Sequence, residues 1–177
     1  MKRVRGFTLI ELVVVIIILG VLAAVALPRF VSLQRDARIA KLNAARGAVL
    51  GAAGLVHGAF LTRGGVADTV ACPAGGGTAT NTTSVCSENG LIVITNGYPT
   101  AAAPGTAGIV AAAGLTTQFN PTAAQLQAEG YNATLAGTTV TFTVTGGTIP
   151  ANCSFTYTAP VAAGAAPAIS AVTTTGC

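Results

Sequence analysis

The chain has 177 residues, of which 51% are hydrophobic, 8% charged and 5% aromatic. That apolarity excludes a disordered polymer, which would be rich in charge and poor in apolar side chains. The net charge of +4 does not indicate a basic binding domain, because all nine Lys and Arg stand at or before Arg63, while residues 64–177 hold three acids, no base and no His. A nucleic-acid partner, which would call for a basic surface, is therefore not expected, nor is His-dependent catalysis.

The first element is a membrane anchor. Lys2, Arg3 and Arg5 precede an apolar stretch that starts at Phe7. Residues 12–27 are all apolar or Gly, and the stretch from Phe7 is interrupted only by Thr8 and Glu11. About 20 helical residues cross the hydrocarbon core at ~1.5 Å each. Cations ahead of the span keep the N-terminus cytoplasmic and place the chain after Pro28 outside. The rival is a cleaved secretory signal, supported by the basic start and by Ala24-Val25-Ala26. Glu11 opposes it, since a secretory h-region of roughly 7–15 residues carries no charge. A carboxylate in a bilayer costs at least ~2.5 kcal/mol, so Glu11 requires a partner, a function, or a place at the membrane edge.

Gly6-Phe7-Thr8-Leu9-Ile10-Glu11-Leu12, followed by the apolar run, resembles the class III leader of type IV prepilins. The resemblance extends over residues 1 to about 60. Ala26-Leu27-Pro28-Arg29-Phe30 and Leu33-Gln34-Arg35-Asp36-Ala37-Arg38 look most like mannose-sensitive haemagglutinin-type pilins. The resemblance implies that a prepilin peptidase cuts after Gly6 and methylates Phe7. It implies that Glu11 pairs with the N-terminus of a neighbouring subunit during assembly. It also implies a type IV pilin fold, α+β, with a long N-terminal helix packed on an antiparallel sheet. Minor pilins and type II secretion pseudopilins share the leader.

The chain then reads as a leader (1–6), a transmembrane and assembly helix (7–28), an amphipathic helix (29–63) and a head (64–177). Pro28 disturbs a helix interior by ~3 kcal/mol, and Gly20 weakens one by about 1 kcal/mol relative to Ala. The stretch from Gly20 to Pro28 is thus where the helix is expected to bend or unwind, as the resemblance also implies. Beyond it, Leu42, Ala45, Val49, Ala52, Val56 and Phe60 recur at spacings of three and four, an apolar helical stripe. Gln34, Arg35, Arg38, Lys41 and Arg46 lie largely off the stripe, and Gly64-Gly65 ends it. Gly47, Gly51, Gly54 and Gly58 form a second stripe, expected to lie tight against the head's sheet or a neighbouring helix; the general Ala/Gly bias of the chain is the other reading. His57 has no second His beside it, so a packed or solvent-facing role is expected rather than metal binding.

In the head, residues 91–95, 138–145 and 154–158 read as strands, with a weaker one at 168–173. A short helix is expected at 107–113, and another opening at Asn120-Pro121 and ending at Gly130. Four cysteines on the outer side favour disulfides and allow three connectivities. Cys72–Cys86 and Cys153–Cys177 are expected because each pair flanks one loop. The C-x2-C pairs of a zinc site are missing, and no metal or other cofactor is expected. Asn81, Asn132 and Asn152 begin N-x-[ST] triplets, which are common by chance in a Thr-rich chain.

The function expected is a non-enzymatic structural subunit of a type IV pilus, or fimbrium. The chain would begin as a single-pass inner-membrane precursor, pass through the prepilin peptidase and the inner-membrane pilus assembly machinery, and end in an extracellular helical homo-oligomer serving adhesion. A minor pilin or secretion pseudopilin is the alternative. The calcium loop of major pseudopilins needs acids near the C-terminus, and the last acid here is Glu129. A membrane-anchored periplasmic enzyme is the third class, without a motif to support it.

Overall fold

The computed structural model describes residues 7–177, with the backbone alone at positions 28 and 31. The chain divides between Ala37 and Arg38 into two compact units. Helix α1, Leu9–Arg63, supplies the helical residues of the first and opens the second.

In the first unit every described large apolar side chain from Phe7 to Leu33 is exposed. A helix apolar on all sides is suited to lipid or to other helices rather than to water. Helix α1 is long and apolar enough to cross a membrane, and none of its most apolar stretch is buried. The helical run is continuous through Gly20 and Pro28.

In the second unit the apolar stripe of α1 faces inward. Leu42, Ala45, Val49, Ala52 and Val56 are buried, and Phe60 packs at the edge. Full burial of a Leu or Val contributes ~1.5–3 kcal/mol. After Arg63 the helix ends at Gly64 and Gly65, with φ of 56° and 77°. Two successive left-handed residues break the helix without the Cβ penalty that another residue would carry.

The head holds two antiparallel sheets where the pattern had suggested one. The first contains β1 (Ser84–Ser87), β2 (Gly90–Thr95) and β3 (Tyr98–Pro99). Asn96 and Gly97 turn β2 into β3 with φ of 54° and 83°, as a two-residue type I′ hairpin requires. The second contains β4 (Tyr131–Ala136), β5 (Thr139–Val144), β6 (Ser154–Thr158) and β7 (Ala168–Ile169), in that spatial order. In β5 and β6 the alternation sends Val140, Phe142, Val144, Phe155 and Tyr157 inward. Phe142 lies opposite Phe155 in the register, and their rings stack at 5.0 Å.

The two sheets use successive parts of the stripe. Leu42, Ala45, Val49 and Ala53 join the core over the four-stranded sheet, with Ile109, Val110 and Leu126. Ala52 and Val56 join a second core with Val85, Ile92 and Ile94. Two short helices, α2 (Ile109–Ala112) and α3 (Ala123–Ala128), fill the connection between the sheets.

Three sequence expectations require correction here. The cap of α3 is Thr122, not Asn120: its hydroxyl accepts from the Gln125 N–H, and the Gln125 side chain accepts from the Thr122 N–H. That reciprocal capping box satisfies two orphan donors, which a single Asn would not. The strand expected at 168–173 is confined to Ala168–Ile169, followed by an isolated bridge between Ser154 and Thr173. Strands β1, β3 and β4 had no distinguishing pattern. Finally, a Cβ added at Gly47, Gly51, Gly54 or Gly58 would meet nothing within 4 Å. The glycine stripe therefore does not lie against the head's sheet.

Candidate functional site

The candidate site in the first unit is built on the start of α1. Thr8 precedes the first helical residue, and Glu11 stands three positions later. The Glu11 N–H donates to Thr8 Oγ1 at 3.3 Å, and Thr8 N–H and Oγ1 both reach Glu11 Oε2 at 3.5 Å. This is a capping box, in which hydroxyl and carboxylate satisfy each other's backbone donors. A carboxylate in the first turn is also favoured by the positive end of the helix dipole. Reasoning about Glu11 as an isolated charge missed Thr8. The signal was present, since Thr8-Leu9-Ile10-Glu11 has the T-x-x-E spacing ahead of an apolar run.

Phe7 is 86% exposed. Gly6, the residue before the expected cut, and the three leader cations lie outside the described residues. Gly20 has open space around its Cα, and the backbone at Pro28 belongs to α1.

Residues 1–27 match the prokaryotic N-terminal methylation motif. The N-terminal segment is similar to the same region of type IV pilins. The type IV narrow pilus major component PilA5 of Thermus thermophilus is 53% identical over 47 residues, which cover 27% of this chain and 40% of that protein. The type IV major pilin protein PilA of Myxococcus xanthus is 59% identical over 32 residues, 18% of this chain and 14% of that one. The chain thus spans less than half the length of either of these relatives. No solved structure matches it.

In the second unit the cations of α1 clamp head segments to the helix. Arg38 Nε donates to the Cys177 carbonyl at 2.8 Å, and Arg46 Nε to the Ser170 carbonyl at 2.7 Å. Lys41 donates to the Glu129 carbonyl and stands 4.5 Å over the Tyr131 ring. Arg63 forms an ion pair with Asp68 at 2.8 Å and reaches Asn81 Oδ1. Asn81 is wholly buried, and its Nδ2 donates to the Val66 carbonyl and to Asp68 Oδ1. Its amide, the first residue of one N-x-[ST] triplet, is thus occupied within the fold. Hydrogen bonds that involve a charged group contribute ~1.5–3 kcal/mol each, less where water competes.

His57 is packed. Its ring lies 4.0 Å from that of Tyr98 at 4° between planes, and Nδ1 is 3.0 Å from the Gly97 carbonyl. A Cβ at Gly97 would stand 2.7 Å from Phe60 and 3.2 Å from His57. Both the left-handed turn and this close approach require glycine there. Among the described residues no group of three His, Cys, Asp or Glu side chains is placed to hold a metal.

Cys72 is joined to Cys86 and Cys153 to Cys177, with Cα–Cα distances of 5.4 and 4.8 Å. The first closes the loop entering β1. The second fastens Cys177 to the residue before β6. Burial pushes the Tyr157 phenol well above its ordinary pKa, with a smaller contribution from Tyr98. Its hydroxyl donates to the Pro99 carbonyl at 2.6 Å, which links β6 to β3. The Tyr131 phenol is raised as well, by burial first and then by Glu129.

Proposed function

We propose that this chain is the structural subunit of a type IV pilus. The prepilin motif over residues 1–27 carries the reading. It is supported by a helix whose described large apolar side chains from Phe7 to Leu33 are all exposed in the single chain. Such a surface is stable only in lipid or against other copies. The precursor sits in the bacterial inner membrane with its N-terminus cytoplasmic. A prepilin peptidase cuts between Gly6 and Phe7 and methylates the new amine, and the inner-membrane assembly machinery moves the subunit from lipid into a helical filament outside the cell. Surface attachment is the use that fits a filament with a weakly acidic, disulfide-closed head.

In this reading Glu11 has two duties. Within the chain it caps α1 together with Thr8. In the filament it receives the amine of a neighbour's Phe7, so that two charges lose water together rather than singly. The stretch from Gly20 to Pro28 is the part of the helix that loosens when subunits pack. The role is structural rather than catalytic.

The mature N-terminus of material sheared from cells tests the proposal. Methylated Phe7 in long filaments is expected, whereas a soluble protein starting at Leu27 would reject it. A Glu11→Ala variant should be cut normally and assemble poorly. Wild-type filament yield from that variant would remove the pairing role while leaving the pilin reading in place.

A further inference from the structure

We infer that a groove on the second unit receives residues 29–33 of a second copy of this chain, with that copy's Arg29 against Glu88. The inference rests on the filament reading, since it names a contact between subunits.

The groove lies between α1 and the turn from β1 to β2. Its volume is about 470 Å³, within the roughly 300–1,000 Å³ of clefts that take up bulky groups. Leu55, Val56, Ala59, Pro73 and Ala112 give it an apolar lining, and Glu88 stands at its edge. Leu55 is 77% exposed in the single chain. Arg63 also borders the groove, but Asp68 holds its guanidinium at 2.8 Å. Glu88 is exposed, and among the described residues no ion pair or hydrogen bond engages its carboxylate. The groove is therefore apolar with one unpaired negative charge.

A complementary occupant needs bulky apolar side chains beside a cation. The head supplies none, because residues 64–177 contain no base. Arg38, Lys41, Arg46 and Arg63 are engaged within the second unit. Arg29 is different. It is exposed, and among the described residues its guanidinium engages nothing, although its carbonyl accepts from Ser32 Oγ. Phe30 and Leu33, 62% and 61% exposed, stand three apart, and Arg29 is four residues before Leu33. These spacings make Leu33 the surface neighbour of both Arg29 and Phe30, and the three side chains lie within an arc of about 100° on the helix. Charge and apolarity thus match on the two surfaces, and the same polypeptide carries both.

Zero-length carbodiimide crosslinking of sheared filaments tests the contact. In full-length Arg29→Lys filaments, which keep the charge and add a reactive amine, mass spectrometry should find position 29 joined to Glu88 of another copy. Adding Glu88→Gln should abolish that product. Separately, Glu88→Arg and Arg29→Glu should each lower filament yield by about tenfold or more, and the double reversal should recover most of it. Glu88 crosslinked to a different protein, no crosslink at position 29, or a double reversal no better than either single would overturn the inference while filaments still form. Absence of filaments from the unaltered chain would instead reject the pilin reading beneath it.

Discussion

Residues 9–37 and 38–63 belong to one helix by assignment, yet they treat their side chains in opposite ways. In the first stretch the described large apolar side chains from Leu9 to Leu33 are all exposed. In the second an apolar stripe is buried to 7% exposure or less from Leu42 to Val56, and the cations reach out to head carbonyls. Apolar content alone does not make a core. The first stretch needs an environment that the single chain does not provide, while the second makes its own with the head.

The sharpest way to break that contrast is a matched pair of truncations. Phe142→Ala removes a stacked, buried ring from the four-stranded sheet and should cost the head ~3–5 kcal/mol. Ile17→Ala, on the exposed stretch, should leave head stability unchanged within about 0.5 kcal/mol. Urea unfolding of both variants in detergent micelles, followed by near-UV circular dichroism, measures the difference. Equal losses would show that the two stretches share one folding unit.

Next in size is the bond between Cys153 and Cys177, which are 24 residues apart in sequence. Replacing both by Ser should cost about 3.5 kcal/mol in the chain-entropy account. The same unfolding experiment measures it. A loss confined to the exposed stretch, seen as altered micelle binding with an unchanged urea midpoint, would contradict the assignment of this bond to the head.

How much of this was legible follows the same division. The stripe from Leu42 to Phe60 was plain because a helix with one buried face must repeat at three and four. β5 and β6 were plain because Thr alternates with Val, Phe or Tyr. β4 was not, since Thr134, Leu135 and Ala136 are all exposed in it. Its strand state comes from pairing with β5 along six residues, which is context rather than local preference. β1 is four residues of Ser, Val and Cys, held by its partner in the same way. At the N-terminal site, Glu11 was visible as an anomaly of charge. Its partner Thr8 is harder to see, because a single hydroxyl ahead of an apolar run carries no charge to mark it. The cations of α1 read only as lying off the apolar stripe, because nothing in a sequence shows which loops return to meet them.

Alkaline pH provides a third test. The folded state raises the Tyr157 pKa above its ordinary 10.0 and raises Tyr131 as well. Above pH 10 the unfolded chain releases protons that the native head retains, so stability should fall as pH rises from there. Tyr157→Phe should cost ~1 kcal/mol near neutrality by losing the bond to the Pro99 carbonyl. It should also flatten the alkaline decline. Urea midpoints between about pH 8 and about pH 11 report both effects. An unchanged slope would assign the decline to Tyr131 or to groups outside the head.

The smallest effect has the opposite sign. Gly51 and Gly54 stand in the second stretch of α1, exposed, and a Cβ at either would meet nothing within 4 Å. Each glycine weakens a helix by ~0.5–1 kcal/mol relative to Ala through the freedom it retains when unfolded. Gly51→Ala and Gly54→Ala should therefore each stabilise the head by about that amount in the urea experiment. Gly51→Leu with Gly54→Leu should fold as well, because the side chains point into open space. Filament yield then separates two reasons for glycine at these positions. If the double Leu variant folds but fails to assemble, close approach of another helix requires the glycines. If it assembles normally, they reflect only the chain's bias toward small residues, and the contrast within α1 rests on the Leu42–Val56 stripe and the cations alone.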